Sequence, residues 1–166
     1  MSLELIFARR SIRVYTGEPV TEGEIRSLLE AGMAAPSARN LRPWHFVAIR
    51  DRAALRALAG AHPHGAMLAG AAAAICVCGD TEISPDFWIQ DCAAATENIL
   101  VAAAALGLGA VWLGCHPREE RVSAIRDVLG IPRRTGVLSL VSIGRPGETK
   151  EPRTQYDETR VHHDKW

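Results

Sequence analysis

Apolar positions recur at helical spacing in TEGEIRSLLEAGMAA, residues 21–35, where Ile25, Leu28, Leu29 and Met33 fall on one stripe. Thr21, with Glu24 three residues on, reads as the capping box that opens this helix. LELIFARR, residues 3–10, reads as a shorter helix before it. WHFVAIR, 44–50, is a first strand, after which Asp51 caps a small helix that runs through Leu58 and is closed by Gly60. AAAAICVCGD, 71–80, is a second, buried strand. Ser84 and Pro85 then start a long helix over DFWIQDCAAATENILVAAAALG, 86–107, with proline at the first helical position and Gly107 as its stop. That helix is apolar nearly all round, which places it at the centre of the fold or in a subunit interface. AVWLGC (110–115) is a third strand, REERVSAIRDVLG (118–130) a further helix and GVLSLVSIG (136–144) a fourth strand. From Arg145 the chain is a polar, extended tail. The tail carries Tyr156, Val161 and Trp166 without a core of its own, so it packs on another surface, a partner subunit being one candidate, or is a loose terminus.

Composition narrows the functions. A length of 166 residues suits one domain, 1–166, with a packed core. Lysine plus arginine equals aspartate plus glutamate, so no basic field draws the chain to nucleic acid or to an anionic membrane. MSLELIFARR has charges inside and after a short apolar patch, unlike a signal peptide, and a cytoplasmic location is expected. Asp91, Glu97 and Asn98 interrupt the long apolar helix, which reads as buried rather than membrane-spanning. Cys76, Cys78, Cys92 and Cys115 lack zinc-like spacing and read as inert core thiols. His62, His64, His162 and His163 fall in loop or tail with no third ligand nearby, so no metal site is expected. GLGAVW, 107–112, has no third glycine and precedes a strand, so it is a helix stop and not a dinucleotide fingerprint. Neither a Walker lysine nor a Gly-x-Ser-x-Gly elbow is present.

Two clusters remain. RRSIR places Arg9, Arg10, Ser11 and Arg13 at the end of the first helix, where three guanidiniums and a hydroxyl suit a phosphate monoester. A solvated helix end, with cations complementing the dipole, accounts for the same residues. APSARNLRPWHF crowds Ser37, Arg39, Asn40 and Arg42 at the mouth of the first strand, a density that a connecting loop does not need.

RRSIR, APSARNLRPWHF, WIQDCAAATENILVAA, GLGAVWLG, SIGRPGE and YDETRVHHDKW, in that order, together resemble the flavin-dependent nitroreductase family, and most of all its short members. The resemblance implies an α+β fold, a central, mostly antiparallel sheet flanked by helices, in a homodimer with FMN at the interface. Carried over, Arg9, Arg10, Ser11 and Arg13 would hold the phosphate and ribityl end. Pro36, Ser37 and Asn40 would reach the isoalloxazine from the other chain, the backbone at Leu113 and Gly114 would face the ring, and Arg153 would be a second phosphate-binding arginine. The activity implied is hydride or electron transfer from NADH or NADPH through FMN to nitro, quinone or related small molecules, with no catalytic side chain. Two other readings are a flavin carrier or redox sensor without efficient turnover, and a reductive enzyme of specialised metabolism on the same fold. Arg39 and Arg42 stand where family loops carry glycine and glutamine, so the loop path could differ. The two cations could select an anionic substrate or the 2′-phosphate of NADPH, or point to solvent. The segment that covers the flavin in longer members is absent, which leaves the substrate side open.

Overall fold

In a computed structural model that describes residues 3–166, the capping box at Thr21 opens α2, Glu22–Met33. The Thr21 hydroxyl accepts from the Glu24 N–H at 3.2 Å, and the Glu24 carboxylate accepts from the Thr21 N–H at 2.8 Å. The other elements are α1 (Glu4–Ala8), β1 (Trp44–Ile49), α3 (Arg52–Ala61), β2 (Ala73–Asp80), α4 (Trp88–Ala105), β3 (Gly109–Gly114), α5 (Glu119–Leu129) and β4 (Thr135–Gly144). The four strands form one sheet in the order β1-β2-β4-β3, every neighbouring pair antiparallel. The expected α+β architecture is therefore present.

Two helical layers cover the sheet. In β2, Ala73, Ile75 and Val77 join the core under α2 and α4, whereas Ala74, Cys76 and Cys78 join the core under α3 and α5. A central strand buried on both faces reads as an unbroken apolar run even in an antiparallel sheet. All four cysteines are buried and free. Burial pushes the Cys92 and Cys115 thiols up to about 12 and the Cys78 thiol pushes Cys76 up, which suppresses the reactive thiolate.

α4 lies across the sheet, its Trp88 ring seated over Gly79 and Gly136. A Cβ at Gly136 would stand 2.5 Å from the Trp88 ring. Gly136→Ala is expected to cost about 1–3 kcal/mol through overpacking, read as a fall in Tm of roughly 2–4 °C per kcal/mol. An unchanged Tm would show that the ring yields without strain. α4 ends at Ala105, with Gly107 as its stop as expected, the φ of that glycine being +69°. The Leu108 N–H reaches back to the Ala103 carbonyl and the Gly107 N–H to the Ala104 carbonyl, the Schellman pattern.

Several boundaries differ from the sequence reading. α4 begins at Trp88, not Asp86, because the Asp80 carboxylate takes the Glu82 and Ile83 N–H groups in a turn that holds 81–87 off the helix. Pro85 accordingly lies outside it. Gly60 sits within α3, which ends at Ala61. Met33 is exposed, so the stripe of α2 narrows to Ile25, Leu28 and the half-buried Leu29. Short 3-10 turns over Ala38–Asn40, Ala66–Gly70 and Glu158–Arg160 carried no periodic signal. Of most consequence, α1 stops at Ala8, and RRSIR is extended rather than a helix end. Ile12 is buried against Gly109, where a Cβ would come within 2.6 Å of Ile12 Cγ2. The Ile12 N–H donates to the Ala110 carbonyl at 3.0 Å, and Ser11 bridges Ala110 in parallel. Burying Ile12 draws the segment off the helix and lays it along the outer edge of β3.

Candidate functional site

The outer edge of β3 carries cations at one end. Arg10 and Lys150 line a cavity of about 230 Å³ with Ile12, Leu100, Ala104, Gly107 and Ala110. The Lys150 ammonium donates to the Ser11 carbonyl at 2.6 Å and pairs with Glu148 at 3.3 Å. Arg10 donates to the Glu151 carbonyl. The Glu148 carboxylate takes the Arg13 and Val14 N–H groups at 2.6 and 3.2 Å, the Arg13 N–H chiefly holding its pKa below the ordinary carboxylate value. Arg9 is committed elsewhere, pairing with Glu97 at 3.3 Å, and Arg13 is exposed. Arg153 enters through its backbone, the N–H donating to the Phe7 carbonyl at 3.2 Å. Lys150 belongs to no sequence motif, and its rarity, as one of only two lysines in the chain, is the one local signal of it.

The other end of β3 is built from backbone. Gly114 pairs with Ser139, and the next residue, Cys115, donates its N–H to the Leu138 carbonyl at 2.9 Å. Hydrogen-bonded and open pairs alternate along an antiparallel ladder, so Gly114 turns its own N–H and C=O to the open edge. The carbonyl is taken by His62 Nε2 at 3.0 Å and by an Arg121 guanidinium nitrogen at 3.1 Å. Nothing lies within 4 Å of the place a Gly114 Cβ would occupy, and its φ is not left-handed. Neither packing nor backbone conformation calls for glycine here. A glycine at the end of an edge strand without such a reason leaves room for the close approach of another body.

His62, read as a loop histidine, is 3% exposed. Its Nδ1 accepts from the His64 N–H at 3.2 Å, so Nε2 carries the proton and donates to Gly114. Burial lowers its basicity most, Arg121 and His64 add to this, and the Gly114 carbonyl opposes it. With the folded-state pKa depressed, its contribution to stability is full above pH 6.5 and is lost as pH falls from there through the lower folded value. The urea midpoint should therefore drop on acidification below 6.5, and the drop should shrink in His62→Gln. Equal pH profiles for the two proteins would contradict this account.

The donor-rich loop, 36–42, is fixed by α4. Asp91, 5% exposed, accepts the Ala38 N–H at 2.9 Å through one oxygen and the Ser84 hydroxyl at 3.3 Å through the other. The Ser37 hydroxyl accepts the Arg42 N–H at 2.9 Å. Arg39, Asn40 and Arg42 have φ of 53, 56 and 49°. The loop thus keeps a left-handed path that glycine would adopt freely, and holds non-glycine residues in it at a cost. Pro36, Arg39, Asn40 and Arg42 are exposed and Ser37 half-buried.

The described chain does not bring all these groups together. Arg10, Ser11, Lys150 and the Leu113–Gly114 backbone share the β3 edge. The 36–42 loop is tethered at Asp91, thirteen residues along α4 from Ala104 beside the cations, or about 20 Å at 1.5 Å per residue. Among the described residues no three potential metal ligands cluster, and no helix is long and apolar enough to cross a membrane.

The sequence matches the model of the nitroreductase family over residues 6–76 and 60–145. It is 48% identical, across 99% of the chain and 98% of the relative, to an Archaeoglobus fulgidus protein whose provisional name is NADH dehydrogenase/NAD(P)H nitroreductase. An FMN-dependent nitroreductase from Clostridium difficile superposes with a TM-score of 0.94 at 29% identity, covering 99% of this chain and all of that one. The NADPH:FMN oxidoreductase of Vibrio harveyi, solved with NAD+, superposes at 0.86 with 27% identity over 99% of this chain and 77% of that one. With that match and that degree of identity, the chain belongs to the nitroreductase family.

Proposed function

We propose that the protein is an NAD(P)H-dependent FMN oxidoreductase whose flavin sites are each completed by two copies of the chain. The observation that carries it is the outer edge of β3, with cations at Ala110 and an open N–H over an uncovered glycine at Gly114. Ala110 to Gly114 is four residues, about 13 Å of strand. That span separates a dianion-binding end from a ring-facing end, as a flavin mononucleotide requires. Bound FMN would supply the redox chemistry, taking hydride from a nicotinamide and passing electrons to a nitro or quinone acceptor.

The chain's own part is to bind and orient. Arg10 and Lys150, with Arg9, Arg13 and Arg153 around them, neutralise the phosphate and Ser11 offers it a hydroxyl; the Gly114 N–H addresses the ring, while Leu113 beside it spends its own backbone groups on β4. Pro36, Ser37 and Asn40 of a second copy close the site, and Arg39 and Arg42 place positive charge at its mouth for the phosphates of a nicotinamide or an anionic acceptor. The tether of the loop at the far end of α4 supports this division between copies. So does an apolar groove of about 630 Å³ between α1, α2 and α4, lined by Leu5, Ile6, Ala31, Val101, Ala102 and Ala105. Residues 151–166 are exposed throughout, Trp166 completely, and would find their cover on the second copy.

The test is complementation. A chain carrying Ser37→Ala and Asn40→Ala and a chain carrying Arg10→Ala and Lys150→Ala should each hold FMN poorly. Unfolded and refolded together in equal amounts, they should regain about a quarter of the sites, since half the dimers are mixed and each has one intact site. No recovery, with both chains folded and dimeric, would rule out shared sites. Absence of FMN from the parent protein after reconstitution would defeat the functional reading itself.

A further inference from the structure

The Gly114 carbonyl is unusual in being fully satisfied at a sheet edge whose neighbouring N–H is left open. Two donors from different elements converge on it: His62 at the end of α3, 52 residues away in sequence, and Arg121 in the first turn of α5. A carbonyl oxygen has two lone pairs, and both are engaged. His62 is itself held, its Nδ1 taking the His64 N–H and the residue only 3% exposed. Arg121 has a buried Nε with no partner, and its guanidinium reaches the Gly114 carbonyl through another nitrogen. Neither residue is needed to close the ladder, since β4 bonds the flanking residues and not Gly114. A buried imidazole and a partly buried guanidinium are a costly way to satisfy one edge carbonyl. The arrangement makes sense if the angle of that peptide matters.

We infer that His62 and Arg121 are positioning residues that pin the Gly114 carbonyl so that the Gly114 backbone is presented to the flavin ring in a fixed orientation. The inference rests on the FMN reading above. Neither side chain touches the cofactor; both act through the backbone. A hydrogen bond to the ring changes in strength between its oxidised and electron-rich reduced forms, so loosening the donor alters the relative affinity for the two.

The variants are His62→Phe, which keeps a ring and removes the donor, and His62→Gln, which returns an N–H at similar reach. Read on the reconstituted FMN protein, His62→Phe should change the ratio of affinities for oxidised and reduced flavin about tenfold. For a two-electron couple that is a shift of about 30 mV in midpoint potential, and it should come with a displaced visible absorption band. His62→Gln should return both to within about twofold of the parent, and Arg121→Met should shift them in the same direction as His62→Phe. If His62→Phe does not fold, Arg121→Met alone decides. A parent that holds FMN while every folded variant keeps its potential and spectrum overturns the inference and leaves the functional reading intact. A shift in His62→Phe that His62→Gln does not reverse also overturns it, because loss of packing and not of the donor would then be the cause. A parent that holds no FMN overturns the reading and the inference together.

Discussion

Arg10→Ala combined with Lys150→Ala is expected to weaken FMN by on the order of several hundredfold while leaving riboflavin within a few fold of the parent. Only FMN presents a dianion, and these two cations line the cavity beside Ser11 and Ala110. One charge-assisted contact is worth about 1.5–3 kcal/mol, roughly ten- to hundredfold in affinity, and two neighbours on one ligand do not add in full. Glu148 draws on Lys150, so Lys150→Ala alone should have the smaller effect of the two. Arg9→Ala should matter less again, its guanidinium being held by Glu97. Titration of the flavin-free protein with each ligand at low and high salt is the measurement. The gap between FMN and riboflavin should narrow as salt rises. Equal losses for both ligands would mean that the cations hold only the tail, through the Glu151 and Ser11 carbonyls, and not a phosphate.

The contrast between Arg9 and Lys150 shows where the sequence is legible. Arginines at 9, 10 and 13 stand out because they are adjacent, yet adjacency says nothing of which guanidinium is already paired. Lys150 enters through the fold of the Pro146–Lys150 turn back onto Val14 and Ser11, a contact across more than 130 residues that no local pattern encodes. The same holds for His62. HPHG reads as a loop, and only the packing of α3 and α5 under β3 turns that imidazole onto Gly114. Core elements were readable for the opposite reason. Helix caps at Thr21, Asp51 and Gly107 and the apolar runs of β2 and β4 are local, and each segment adopts the structure its own residues favour. Helix starts failed where turn chemistry competed, as at Asp80 before α4. Asp91 lay between these cases. Its helical phase with Trp88 and Ala95 puts a carboxylate on the buried face of α4, and a buried carboxylate must have donors. That phase was the available signal that something is tied to it.

What is tied to it sets the second large effect. Asp91→Ala should lower stability by about 2–4 kcal/mol, since it removes hydrogen bonds to a charged group and leaves the Ala38 N–H and the Ser84 hydroxyl without their acceptor. Asp91→Asn retains a carbonyl oxygen for Ala38 and an amide that can donate to Ser84, so it should cost roughly half as much. The loop should respond as well. Arg39, Asn40 and Arg42 hold left-handed backbone that non-glycine residues leave when free to do so, and the tether at Ala38 opposes that relaxation. Once it is cut, Ser37 and Asn40 lose their fixed placement, and flavin binding should fall by about tenfold. FMN and riboflavin should lose equally here, because the loop would address the ring and ribityl and not the phosphate, the reverse of the Arg10 and Lys150 pattern. Chemical denaturation of the flavin-free protein and parallel titrations with both ligands separate the two effects. If Asp91→Ala lost stability but bound both ligands as the parent does, the loop would be held by Ser37 and Arg42 alone. The carboxylate would then be a core group without a share in the site.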